Sequence, residues 1–266
     1  MKQGGYALNI DLSGYSVIVT GAAGGIGKET ASLFCRVGAS VFLIDKDESG
    51  LEEVAASLAV EGDLRGHFAA DITAPDSVEA AIDEAVGVLE GIDTLVNNAG
   101  VECVGRLEEM PVESVRRGVD VNLLGTLLVS RLAIPHLVKS RKGSIVNLAS
   151  QAAKRGTAQV SVYSAAKAGV LGWARSAALD LAPAIRVNSV CPGIVDTAMI
   201  ERHYENVFQL EGTPPEQAKQ EFEALIPLGR TQKPADIANA ILFLASPLAS
   251  EITGQALNVC GGMIMD

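Results

Sequence analysis

Aromatic side chains are scarce: phenylalanine, tyrosine and tryptophan make up 4% of the 266 residues, against 48% hydrophobic overall. The interior must therefore be filled by aliphatic side chains, which suits helices packed on a buried sheet and excludes a disordered or fibrous chain. Cysteine is also rare. Cys35, Cys103, Cys191 and Cys260 form no CxxC pair and have no histidine at metal-ligand spacing, so neither a disulfide framework nor a metal site is expected. No stretch of eighteen uninterrupted apolar residues occurs, and Met1 to Ser16 contains no basic segment followed by an apolar run. The expected compartment is the cytoplasm. Positive charge is in deficit, 21 Lys and Arg against 32 Asp and Glu, a net charge of -11. That balance argues against nucleic acid and anionic membranes as partners. The one basic grouping, Lys139, Arg141 and Lys142, reads as a solvated helix end.

What is present is a rhythm. Short β-rich apolar runs at Ser16–Thr20, Ser40–Ile44, Gly66–Ala70, Thr94–Asn97, Gly143–Ala149, Arg186–Cys191 and Gln255–Val259 alternate with helical patterns. The helices are expected at Lys28–Val37, Ser49–Val60, Ser77–Leu89, Val112–Ser140, Ala158–Leu181 and Ala235–Ala245. The strands are continuous in Val, Ile and Leu rather than alternating, as when helices cover both faces of a parallel sheet. With right-handed crossovers this predicts a single-domain α/β fold, a doubly wound, Rossmann-like parallel sheet spanning residues 1–266. Residues 196–229 break the rhythm, mixing Glu, Gln and Pro with Met199, Tyr204 and Phe208. They follow a strand's carboxyl end, where ligands bind in this architecture, and are expected to form a substrate lid.

Two local patterns carry chemistry. Gly21, Gly24, Gly25, Ile26 and Gly27 lie between the first strand and the first helix, where glycines permit a tight turn and a close approach of pyrophosphate to backbone amides. Asp45 ends the second strand, placed to accept hydrogen bonds from adenosine ribose hydroxyls and to repel a 2′-phosphate, which selects NAD over NADP. Lys46 beside it works against that selection, but the glycine loop itself contains no Arg or Lys. Farther on, Tyr163 and Lys167 stand four apart on a helix and share a face. An ammonium beside a phenol favours the phenolate, so this pair suits proton exchange near neutrality.

Taken in order, these motifs resemble those of the short-chain dehydrogenase/reductase family, from Leu12 to Met263. The similarity includes Asp71-Ile72, Asn97-Asn98-Ala99-Gly100, Asn122, Ser150, Pro192-Gly193 and Thr197. The resemblance implies that Tyr163 is the general acid/base and that Lys167 lowers its pKa and holds the nicotinamide ribose. Ser150 would hydrogen-bond the substrate oxygen, and Asn122 would hold a water in the proton relay. It further implies that Asp71 and Ile72 border the adenine, that Asn98 and Gly100 line the cofactor cleft, and that Val195 and Thr197 orient the carboxamide or pyrophosphate. The implied activity is NAD-dependent hydride transfer to or from a secondary alcohol or ketone.

Two departures from the family pattern stand out, the first of them at a structural position with little expected effect on the chemistry. Cys260 stands where relatives often carry an acidic residue. Gly261-Gly262-Met263 is similar to the acyl-carrier ketoreductases, yet Ala182-Pro183-Ala184 lacks the basic residue those enzymes offer a carrier protein. The expected pocket wall is Glu102, Cys103, Gln151, Ala152, Lys154, Arg155, Met199, His203 and Tyr204, a polar mixture leaning to a polyol, sugar or hydroxy acid, with His203 read as a surface histidine. Rival readings are a 3-oxoacyl thioester reductase, a non-catalytic NAD-binding regulator, and an epimerase or dehydratase that retains its NAD. The resemblance also implies a homotetramer built through the long helices and the last strand, where Ala165, Ala166, Ala168, Gly169 and Gly172 allow close approach.

Overall fold

The computed structural model describes residues 10–60 and 62–266; the expectation for the first nine residues of Met1 to Ser16 lies outside them. The chain runs β1 (Ser16–Thr20), α1 (Gly25–Arg36), β2 (Ser40–Asp45), α2 (Glu48–Leu58), β3 (Leu64–Ala69), α3 (Pro75–Leu89) and β4 (Thr94–Asn97). It continues through α4 (Val112–Val119), α5 (Thr126–Leu137), β5 (Gly143–Leu148), α6 (Ser161–Leu181) and β6 (Ile185–Pro192). The last elements are α7 (Ala198–Glu211), α8 (Pro215–Ala224), α9 (Pro234–Ala245) and β7 (Ala256–Val259). The seven strands form one parallel sheet in the order β3-β2-β1-β4-β5-β6-β7, so the direction of winding reverses between β1 and β4. That reversal opens a crevice at the strands' carboxyl ends.

Alternation of side chains across the sheet explains the continuous apolar strands. In β1, Val17 and Val19 pack into one core layer with Phe34, Leu51, Ile237 and Ile241, while Ile18 enters the other with Ile82, Leu137 and Ala174. In β4, Leu95 and Val96 divide in the same way. The central strands β1 and β4 therefore have two buried faces, whereas the edge strand β3 turns Arg65 and His67 outward. Helix α5 belongs to the second layer: Val129, Ala133 and Leu137 are buried. The helical stretch Val112–Leu137 has the length and a mean hydropathy of 1.2 that would suffice to cross a bilayer, but here it covers the sheet.

The single helix expected over Val112–Ser140 is interrupted. Between α4 and α5, residues Asp120–Gly125 form a wide π turn. Asn122 projects from it, donating to the Val101 and Gly118 carbonyls at 2.8 and 2.9 Å and accepting from the Val101 amide at 3.1 Å. Gly125 lies so close to Ile72 that a Cβ would stand 2.6 Å from its Cδ1. Residues 196–229, expected as a substrate lid, fold into α7 and α8, whose inner faces share a small core of Tyr204, Val207 and Ala218. Tyr204 and His203 both meet the ring of Phe222, at 5.9 and 5.3 Å between centroids.

Candidate active site

A cleft of about 570 Å³ lies at the carboxyl ends of β1, β2, β4, β5 and β6, within the range of small-ligand sites. At one end is the glycine loop. Gly21 has a φ of +64°, and a Cβ there would stand 2.7 Å from the Ala99 backbone; at Gly27 it would meet the Gly21 carbonyl at 2.1 Å. Only glycine fits either position. Helix α1 starts from Gly24, and no side chain caps it. Its first amides and the positive end of its dipole therefore face the cleft wall made by Gly24, Gly25 and Ile26.

Asn98 holds this loop in place. Its Nδ2 donates to the Thr20 and Gly21 carbonyls at 3.0 and 2.9 Å, and the Thr20 hydroxyl accepts from the Asn98 and Ala99 amides. Beneath lies a buried polar chain: Asn97 Nδ2 donates to Ser130 Oγ and Asn147 Oδ1, both at 2.9 Å. Asp45 lines the adjoining wall with its carboxylate directed inward on the chain, accepting from the Ala23 amide at 3.0 Å and the Asp47 amide at 3.1 Å. An uncapped helix start, a backbone cradle with no space for a Cβ, and a carboxylate beside it together fit a dinucleotide.

The other end brings Ser150, Tyr163 and Lys167 together. Ser150 follows β5 and starts a short 3-10 turn, accepting from the Ala152 amide at 3.1 Å. Tyr163 lies in the first turn of α6. Lys167, one turn on, donates to the Leu148 carbonyl at 2.7 Å, its Nζ 5.8 Å from the centroid of the Tyr163 ring. Burial pushes the phenol up to about 12, opposed by its hydrogen bond with Ser150 and reinforced by the Glu102 charge. Burial likewise drives the Lys167 ammonium down to about 8. In the protein alone, desolvation and not the lysine dominates the tyrosine, contrary to the effect expected from their spacing.

Of the residues singled out in the sequence, Gly21, Gly24, Gly25, Ile26, Asp45, Asn98, Gly100, Asn122, Ser150, Tyr163, Lys167, Val195 and Thr197 all line the cleft. Gly27 stands behind it, where it packs helix on loop. Asp71 and Ile72 are outside the lining. The Asp71 carboxylate accepts from the Thr73 amide and hydroxyl, which hold it below the usual carboxylate range, and the Ile72 side chain is buried against Gly125. Thr197 packs against Gly25 across the cleft, a Gly25 Cβ falling 3.1 Å from its Cγ2.

The expected substrate wall needs correction. Glu102, Gln151, Ala152, Met199 and His203 are in it; Cys103, Lys154, Arg155 and Tyr204 are not. Lys154 Nζ instead ties the loop after Ser150 to the Ala256 carbonyl and Asp266. Cys103 packs against Met110 and Gly118, Arg155 is exposed, and Tyr204 fills the core between α7 and α8. His203 is not a surface histidine: it is buried and its Nδ1 pairs with Glu102 Oε1. Thr157, Val160, Ile200, Arg202 and Phe222 are also in the wall. Nothing in the sequence marked Phe222, because only the packing of α8 on α7 carries it to the cleft.

The profile of the family described as Enoyl-(Acyl carrier protein) reductase matches residues 21–264. The chain belongs to the short-chain dehydrogenase/reductase family, oxidoreductases that interconvert CH–OH and C=O groups with a nicotinamide cofactor. It is 35% identical over 255 residues to the 3-oxoacyl-[acyl-carrier-protein] reductase FabG of Thermotoga maritima, covering 96% of this chain and 99% of that protein. The fold is similar to actinorhodin polyketide ketoreductase with NADPH, with a TM-score of 0.90, 34% identity, and 94% and 97% of the two chains covered. It is also similar to NAD+-bound xylitol dehydrogenase, with a TM-score of 0.91, 29% identity, and 94% and 99% covered.

Proposed function

We propose that this chain is an NAD-dependent dehydrogenase of secondary alcohols, with Ser150, Tyr163 and Lys167 as its catalytic residues. The observation that carries the reading is their convergence in one cleft whose far end is the glycine cradle. Bound nicotinamide supplies the hydride acceptor and, when oxidised, a positive charge. Such a charge beside the Tyr163 phenol opposes the effect of burial and favours its ionised form. Tyr163 then takes the carbinol proton during oxidation and returns it during reduction. Ser150, in the same cleft as the phenol, holds the reacting oxygen. Lys167 lines the cleft near Gly100, where a Cβ would stand 3.3 Å from its Nζ, and would hold the nicotinamide ribose. The Asn122 amide is fully engaged with Val101 and Gly118, so the relay water falls to its backbone carbonyl on the π turn.

Asp45 supports NAD: a ribose hydroxyl would donate to its carboxylate, and a 2′-phosphate would be repelled, with Asp47 adding a second charge on the same wall. Helices α7 and α8 act as the substrate lid over residues 196–229. Val195 and Thr197, at its base, would orient the carboxamide or pyrophosphate, while Asp71 and Ile72 would border the adenine. The chain works in the cytoplasm as a homotetramer.

The test is nicotinamide absorbance across polyols, aldoses, hydroxy acids and secondary alcohols, with NAD and NADP in parallel. Turnover with NAD that falls by about 10²-fold or more in Tyr163→Phe, with cofactor binding kept, is the expected result. Turnover surviving the substitution refutes the mechanism. Preference for NADP refutes the role of Asp45, and Asp45→Ser is expected to narrow the NAD preference. A second reading, 3-oxoacyl thioester reduction, is favoured by the likeness to the Thermotoga enzyme. Turnover of an acetoacetyl thioester in place of every alcohol in the panel would select it. NAD binding without any turnover would select the regulatory role.

A further inference from the structure

The wall of the cleft beside Tyr163 carries a carboxylate that the mechanism does not use. Glu102 lies in the loop after β4, and its side chain is 17% exposed. His203, from α7, pairs with its Oε1 through Nδ1, and Asn206, one turn farther along α7, points its Nδ2 to Oε2 at 3.5 Å. Phe222 of α8 closes over the imidazole edge to face. The carboxylate is thus fixed on both sides and shielded from bulk water, where a free surface charge would swing away and be screened. Its field reaches the reacting end, since it is among the groups that resist ionisation of Tyr163. Of the other cations lining the cleft, Lys167 is committed to the Leu148 carbonyl and Arg202 is exposed to solvent.

We infer that Glu102, held by His203, is a specificity-determining residue that selects neutral carbinols over those bearing a carboxylate close to the reacting carbon. The inference rests on the dehydrogenase reading and narrows it, removing short hydroxy acids from the substrate class and leaving polyols, sugars and other neutral alcohols. A substrate carboxylate two carbons from the carbinol would face Glu102 across the cleft, and like charges at such range oppose binding.

The probes are a matched pair with one carbon skeleton, 1,3-butanediol and 3-hydroxybutyrate, offered with NAD. The wild type is expected to favour the diol in kcat/KM by about tenfold or more, and Glu102→Gln to shrink that ratio about tenfold. Gln keeps an acceptor for His203, so the lid contact survives while the charge goes. Equal use of the two probes, or a ratio unmoved by the substitution, overturns the inference. Binding of the matched ketones, 4-hydroxy-2-butanone and acetoacetate, to the NADH complex is followed in parallel by NADH fluorescence. A preference for the neutral ketone without turnover of any alcohol would refute the dehydrogenase reading and leave this inference standing. Acetoacetate binding as tightly as its partner, or neither binding, overturns it. The fixing itself is read by hydrogen exchange over 198–211, expected to speed up in Glu102→Ala and not in Glu102→Gln; unchanged exchange in both overturns the role of His203.

Discussion

Lys167 is held where an ammonium is unwelcome. Burial lowers it to about 8, while in the unfolded chain it titrates near 10.5, the ordinary lysine value. Between those two values the unfolded chain binds the extra proton, so stability rises as pH climbs from about 8 to 10.5, and below 8 the folded state bears the full cost of the buried charge. Thermal melts of wild type and Lys167→Met are expected to converge or cross in that window, the wild type gaining on the variant as pH rises; parallel curves would mean that the ammonium is solvated. Tyr163 acts in the opposite sense above pH 10, where its elevated value makes the fold lose stability with further alkali. Gly27 offers a sharper test. A Cβ 2.1 Å from the Gly21 carbonyl forces the loop and α1 apart, so Gly27→Ala is expected to destabilise by about 2 kcal/mol or more and to abolish cofactor binding. Calorimetry and dye-free melts check both effects. The glycines and the Tyr163, Lys167 and Ser150 set were legible because their spacing is local. The Glu102–His203 pair joins residues a hundred positions apart and had no such signal.

At the level of elements, strands are readable from apolar runs, with β1 and β4 matching their expected spans and the others differing by one or two residues at one or both ends. The central strands are buried on both faces, so their few polar residues, such as Asn97 and Asn147, do not break the apolar runs. Helix starts were placed late where glycine or proline opens the helix, as at Gly25 and Pro75. The π turn at Asp120–Gly125 has no local sequence signal because its cause is tertiary: Asn122 bonds to Val101, which lies in another segment. Asn122→Ala would strand one amide and two carbonyls in a buried place, and is expected to cost about 1–3 kcal/mol and to raise hydrogen exchange in α4 and α5. A melt unchanged within error would show that the turn stands without its side chain. The lid helices were hidden for a related reason. Their polar outer faces masked a short inner stripe of Tyr204, Val207 and Ala218, which is apolar only where α7 meets α8.

For the whole molecule, the net charge of -11 spread over one α/β unit is consistent with a small-molecule enzyme. The proposed tetramer needs apolar surface, and the helices named for it supply some: Val112, Val119 and Leu124 on the α4–α5 stretch and Leu179 on α6 are exposed. Light scattering is expected to give four times the chain mass, and Leu179→Glu, at a position 82% exposed in the single chain, to lower it. An unaltered mass would remove α6 from the interface.

The order of the strands has a consequence for how the chain is made. β1 pairs on one side with β2, which follows within a few tens of residues, but its other neighbour is β4, with Val17 opposite Thr94. On the ribosome, the first three strands and their helices emerge with one edge of β1 unpaired, and an open edge is where chains adhere to one another. The glycine cradle waits too, because the Asn98 side chain that fastens it is synthesised nearly eighty residues later. The nascent chain thus passes through a stage in which a sticky half-sheet exists and no nucleotide can yet be held to steady it. Slowing synthesis shortly before Thr94 would lengthen that exposure, whereas a pause after Asn98 has left the tunnel would let the cofactor itself serve as a folding aid.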